Sequence, residues 1–234
     1  MHRSAFLLAV LSFLVAVSVP LHASEEPLID KEDQKVMSSQ TFLNAHPDMK
    51  YRTEGWLAYD EGRYEDALEK FTKAAGFGDK LSQAMLAEMA WKGIGQPVDR
   101  SLGYAWADIS AERGYRQLVA LREQYWKQLS EDERVRAMEI GQPLMEKYAH
   151  AVTGPALAKV IRNGRGWQNR GRLKRKLDVI VPGPYGMQTY IRGHDFYAEK
   201  FWNPKQYQEW VDEVWTDPPK ENVDVGAPAT IGVK

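Results

Sequence analysis

The sequence predicts a mainly α-helical chain: a short α-α solenoid of helix hairpins, then a small basic C-terminal extension with a β-hairpin and one amphipathic helix. Three observations predict it. Apolar residues recur at helical spacing from about residue 48 to 149. A set of small and apolar residues repeats at an offset of 36. Beyond residue 158 the chain turns strongly basic, and its apolar pattern changes to strand-like alternation.

The composition sets outer limits. The 234 residues carry 31 basic and 32 acidic side chains, five histidines and no cysteine. Neither a wholly basic nucleic-acid binder nor an acidic disordered chain has that balance. Hydrophobic residues make up 44% and aromatics 11%, enough for a packed core. The absence of cysteine excludes disulfides, thiol nucleophiles and cysteine-ligated metals.

Residues 1–23 read as a signal peptide. Arg3 supplies the positive start, and Ala5 to Val19 is an uninterrupted run of apolar and small residues. Pro20 breaks the run, and Ala23 is the small residue before the expected cut. The run is shorter than the roughly 20 residues of a comfortable bilayer span. No later stretch is long and apolar enough to span, so a periplasmic or secreted protein, not membrane-spanning after signal removal, is expected. No asparagine has the Ser or Thr that glycosylation requires two places on, which agrees with a bacterial source. With no cysteine after the cut, a bacterial lipid anchor is excluded.

Residues 24–43 are polar and read as a mobile leader that docks through Phe42 and Leu43. Residues 44–150 read as the helical-repeat domain. Ala67, Leu68, Phe71, Ala74 and Ala75 form one helical stripe, stopped at Gly78-Asp79. Ser82 to Trp91 is the next helix, with Met85, Leu86 and Met89 on one face. Gly93 to Pro97 is a turn, and Asp99 sits where an N-cap belongs. Leu102, Ala105, Trp106, Ile109 and Ala111 follow, closed by Arg113-Gly114 as a cationic last turn and left-handed cap. Gln117 to Leu129 opens a third hairpin. Ser130 and Glu133 make a capping box for a helix to about Tyr148, with a kink expected at Pro143.

The 36-residue offset aligns Ala67, Lys70, Ala74, Ala75 and Gly78 with Gly103, Trp106, Ser110, Ala111 and Gly114. Small residues at the paired sites let helices approach closely. A single hairpin cannot bury both faces, so such units stack.

The second unit resembles the Sel-one-like repeat (SLR), a variant of the tetratricopeptide hairpin. The residues are Leu86-Ala87, Gly93-Ile94-Gly95, Asp99, Gly103, Trp106, Ser110-Ala111 and Gly114. The first unit is similar to a plain tetratricopeptide hairpin through Tyr51, Gly55, Ala67, Phe71 and Ala74. Ala87 departs from the family's glycine, Gly103 and Ser110 from its alanines, and Ala90 from its aromatic. The resemblance spans about residues 48–117. It implies a solenoid whose concave surface binds another protein or peptide.

Residues 151–216 form the C-terminal basic extension. Gly154-Pro155 is expected to open a short helix that ends at Asn163-Gly164. Residues 159–177 hold eight cations and no acid: Lys159, Arg162, Arg165, Arg170, Arg172, Lys174, Arg175 and Lys176. Leu177, Val179 and Val181 alternate, residues 182–186 turn, and Met187 to Ile191 return. Arg172, Lys174 and Lys176 then share one strand face by the two-residue period. Asn203-Pro204 starts a helix that buries Tyr207, Trp210, Val211, Val214 and Trp215. Residues 217–234 read as a disordered tail.

No catalytic signature occurs: no nucleophile elbow, zinc-protease helix or calcium loop. His46, His150 and His194 are too scattered to suggest a metal site and read as solvated or core-edge side chains. No cofactor or metal is expected. Trp56, Trp91, Trp106 and Trp126 read as solenoid core, or as anchors for a partner peptide where the concave face leaves them open. The basic run admits two readings: a contact for an anionic envelope lipid or polymer, or a charged strand edge that resists aggregation. The expected function is an exported, non-catalytic scaffold or adaptor for another protein in the bacterial cell envelope. The alternative is a binder of anionic envelope material through residues 159–177, and an enzyme is the least favoured class. Nucleic acid is not an expected partner.

Overall fold

The computed structural model describes residues 29–168, 178–182 and 188–216. The proposed signal peptide, the tail over 217–234 and residues 169–177 of the basic run lie outside the described residues.

The chain starts with two short helices, α1 (Lys31–Met37) and α2 (Gln40–Ala45). Asp30 and Ser39 cap them, accepting hydrogen bonds from the backbone N–H of Asp33 and Phe42. The expected mobile leader is therefore corrected from Ile29 onward. Val36 and Phe42 are fully buried, and it is the C-terminal helices that bury them.

Next come α3 (Pro47–Asp60), α4 (Tyr64–Ala75), α5 (Lys80–Lys92), α6 (Arg100–Ser110), α7 (Arg116–Gln128) and α8 (Glu131–Tyr148). The 36-residue register is visible in the elements themselves. Helices α4 and α6 begin 36 residues apart, and α5 and α7 begin and end 36 apart. Gly78 (φ 83°) and Gly114 (φ 76°) make the left-handed turn after each unit. Asp99 accepts a 2.9 Å bond from Leu102 N–H, as its N-cap position requires. The capping box at the start of α8 is complete, with Glu133 accepting from Ser130 N–H at 2.8 Å.

Close helix approach explains the small residues. A methyl group on Gly103 would sit 3.1 Å from the Ala87 carbonyl and the Trp91 amide, so α5 and α6 touch backbone to backbone. On Gly55 it would strike the Phe71 ring at 2.7 Å. The stack buries Ala58, Phe71, Met85, Met89, Ile109, Tyr125 and their neighbours in one apolar core.

Helix α9 (His150–Gln168) runs through both Pro155 and Gly164. This corrects the short helix expected between them. Leu157 and Ile161 anchor α9, and Gly164 is a close contact: a Cβ there would lie 2.7 Å from that of Ala45. Strands β1 (Val179–Pro182) and β2 (Gln188–Ile191) pair antiparallel, Val179 opposite Ile191. Val181 and Ile191 point inward while Ile180 and Tyr190 are exposed. The chain ends on α10 (Gly193–Phe196), α11 (Glu199–Trp202) and α12 (Pro204–Thr216).

A second apolar core joins the two ends of the described chain. Ile29, Val36, Phe42 and Met49 pack with Leu157, Ile161, Val181, Ile191, Phe201, Trp202, Tyr207 and Trp210. Trp215 touches both cores. The architecture is thus a stack of helix hairpins closed on one side by a module built from both termini.

Candidate interaction surfaces

The seam between stack and terminal module is polar. Tyr207 donates its hydroxyl to Asp48 at 2.6 Å, although both side chains are buried. The other Asp48 carboxylate oxygen has no partner. Beside it, Arg52 donates to Asp79 at 2.7 Å in a buried ion pair. Asp79 also caps α5, accepting from Ser82 N–H at 2.9 Å. Burial pushes the Asp48 carboxyl up to about 6, and the nearby Asp79 adds to this against the pull of Tyr207 and Arg52.

His46 corrects the expectation of a solvated or core-edge histidine, because it is fully buried. Its ring stacks on Phe42 at 3.8 Å, with Tyr207 at 4.7 Å. Nδ1 lies 2.9 Å from the Phe42 carbonyl and Nε2 2.7 Å from that of Phe201. A neutral imidazole carries one proton and satisfies one carbonyl at a time. Burial nonetheless outweighs both carbonyls and holds the group down to about 4.

Two further links cross the seam. Arg113 forms a bidentate ion pair with Asp212, which also accepts from the Tyr115 hydroxyl at 2.6 Å. Lys80 is buried yet spends its three protons on Gln83 (3.0 Å), the Ile109 carbonyl (3.0 Å) and Glu112 (2.8 Å). Glu112 in turn accepts from His150 N–H at the start of α9, at 2.8 Å. Lys80 therefore joins the end of α6 to the start of α9 through Glu112. Among the described residues no group of three His, Asp or Glu is placed to hold a metal ion.

The four tryptophans of the stack pack against its own side chains. Trp106 is buried against Tyr148. Trp91 stacks on Tyr125 at 3.9 Å and carries the Arg100 guanidinium on its face. Trp126 lies between Tyr104 and Arg134, and Trp56 packs edge-on to Phe71.

Two grooves are open among the described residues. The first, about 470 Å³, runs between α9 and the start of α12. Its floor includes Leu157, Ala158 and Ile161, and its cations are Arg162 and Lys205. The second, about 550 Å³, follows α8 beside Ile140, Pro143 and Leu144. Of the basic run, Arg162 is exposed on α9 and Arg165 belongs to the last turn of that helix. Arg170, Arg172, Lys174, Arg175 and Lys176 lie outside the described residues, and so does their expected shared strand face.

The repeat residues fall where the hairpins need them. Ala67, Phe71, Ala74, Leu86, Trp106 and Ala111 are core, and Gly93 and Gly95 adopt φ of 72° and 67° in the turn between α5 and α6. Sequence reasoning missed the buried polar groups Asp48, Arg52, Lys80 and Gln83. The one available signal was polar residues on otherwise apolar helix faces.

No protein-family model matches the chain, and no curated protein matches it. Among solved structures it is similar to c5321, a protective antigen of uropathogenic Escherichia coli strains that displays an SLR fold, at 22% identity and a TM-score of 0.36. The similarity covers 47% of this chain, which spans about a fifth (21%) of the antigen's length.

Proposed function

We propose that this protein is an exported, non-catalytic scaffold that holds another protein in the bacterial cell envelope. The observation that carries this reading is the stack itself. Hairpins in a 36-residue register present a continuous surface with an open groove along α8. The buried charged groups support a binding role over catalysis. Arg52, Asp79 and Lys80 are each spent on holding elements together. The short apolar run before Ala23 supports export.

The test is recovery of partners from an envelope extract on immobilised mature protein, repeated at high salt. A protein held by apolar contacts survives the salt wash. Recovery of no protein above the level of a denatured control rejects the scaffold.

The α9–α12 groove favours a second reading, binding of an anionic lipid or polymer. Arg162 and Lys205 stand at a groove with no acidic side chain among its lining residues. Co-sedimentation with anionic vesicles across a salt series separates the two. Replacing Arg172, Lys174 and Lys176 by glutamine weakens binding and flattens its salt dependence if the basic run contributes.

A further inference from the structure

Helix α8 ends the stack, and its inner side is spent on Ala137 and Tyr148. The side turned away from them carries a heptad face. Val135, Met138, Gln142 and Met145 follow one another at spacings of three and four, the pattern of alternating a and d positions. Val135 and Met138 are 56% and 64% exposed, so no described residue covers these apolar side chains. In a repeat stack the final outer surface is normally polar. Here Val135, Met138 and Met145 make it apolar over about 15 Å of helix at the standard rise, interrupted by Gln142.

The charges beside this face are one-sided. Asp132, Glu139 and Glu146 are spaced by sevens, which places them in one column at the e position. None of the three makes an ion pair among the described residues. The cations of α8 are turned elsewhere. Arg134 lies over the Trp126 ring, Arg136 pairs with Asp99 at 2.6 Å, and Lys147 lies over the Tyr148 ring.

We propose that the outer face of α8 docks an amphipathic helix with apolar residues at its own a and d positions and lysine or arginine beside them. This rests on the scaffold reading and names the chemistry of the partner. The acidic column decides the occupant. Two copies of this chain packed antiparallel through α8 would set Glu139 and Glu146 against the same column of the other copy, since like positions meet in that arrangement. A cationic helix satisfies the column in either direction. Met138 and Met145 adapt to varied apolar side chains, and Gln142 at the central a position sets the register.

The probes are two synthetic peptides of about three heptads, each with leucine at a and d. One carries lysine at e and g, and the other carries glutamate. The mature protein binds the lysine peptide at least about tenfold more tightly by fluorescence anisotropy, and the difference shrinks at high salt. Glu139→Lys with Glu146→Lys reverses the preference. Met138→Ser with Met145→Ser weakens the lysine peptide by about tenfold or more. These positions are exposed, and an unchanged circular dichroism spectrum and melting midpoint show that the variants remain folded.

Equal affinity for the two peptides, no binding up to about 100 μM, or an unreversed preference in the lysine variant overturns the proposal. A concentration-dependent dimer lost in the serine variant assigns the face to a second copy and overturns it as well. The same lysine variant on the envelope extract separates this proposal from the reading beneath it. Partners retained in full by a variant that has lost the lysine peptide leave the scaffold standing and move its site elsewhere.

Discussion

Tyr207 and Asp48 are 159 residues apart and meet through a 2.6 Å hydrogen bond in a fully enclosed seam. The phenol ring also lies 4.7 Å from His46, so one side chain of α12 touches two titratable groups from the start of α3. That contact ties the two ends of the described chain together.

His46 and Asp48 respond to acid in opposite senses. The His46 value is lowered from 6.5 to about 4, so its contribution to stability is present above 6.5 and lost as pH falls through 4. The Asp48 value is raised from 3.8 to about 6, so its contribution is present below 3.8 and lost as pH rises through 6. Between about pH 4 and 6 the two slopes cancel. Asp48→Asn removes one of them, so its stability falls as pH drops from 6.5 to 4 while the wild type changes less. The variant also gains about 1–3 kcal/mol at pH 7, where the wild type keeps a buried carboxylate. Urea midpoints from pH 4 to 8 measure both effects, and parallel curves for the two proteins contradict the account.

Gly78 and Gly114 occupy equivalent turns but not equivalent surroundings. Both have positive φ, which a valine resists by roughly 1 kcal/mol or more. A Cβ at Gly114 meets nothing within 4 Å, while at Gly78 it meets the Thr153 hydroxyl at 2.8 Å. Gly78→Val therefore costs more than Gly114→Val. Chemical denaturation of the two variants orders them, and an unchanged midpoint for Gly114→Val contradicts the turn assignment.

Asp212 receives both Arg113 and Tyr115 across the seam. Asp212→Ala leaves a half-buried guanidinium and a buried phenol unpaired, which costs about 1–3 kcal/mol. The loss is local to the seam, so limited proteolysis cuts sooner near α12 than within the stack. Cleavage that begins between α5 and α6 instead contradicts the placement of Asp212 as a latch.

Export predicts a mature N-terminus at Ser24. Intact-mass spectrometry of the protein from an envelope fraction reads it directly. A chain retaining Met1 and held on the membrane rejects cleavage after Ala23.

The helix stack is written in local sequence. Helical spacing, Asp99 as a cap, Ser130 with Glu133 as a capping box, and Gly78 and Gly114 as turns are local signals, each set by residues within a few positions of one another, and the 36-residue offset is a repetition of such local signals along the chain. The pairing of Val179–Pro182 with Gln188–Ile191 and the buried face of α12 were legible for the same reason. Tertiary structure alone decided how the ends meet. Val36 and Phe42 belong to helices too short to announce themselves, and elements from far along the chain bury them: α10 and β2 lie against α1, and α9 and α11 against α2. Gly164 reads locally as a helix stop but allows the close contact with Ala45. His46, Asp48 and Lys80 look like surface residues, because long-range partners that periodicity does not encode are what satisfy a buried polar group. The outer face of α8 belongs to both accounts. Its heptad spacing is written in the sequence, but only the fold shows that nothing in the described chain covers Val135 and Met138.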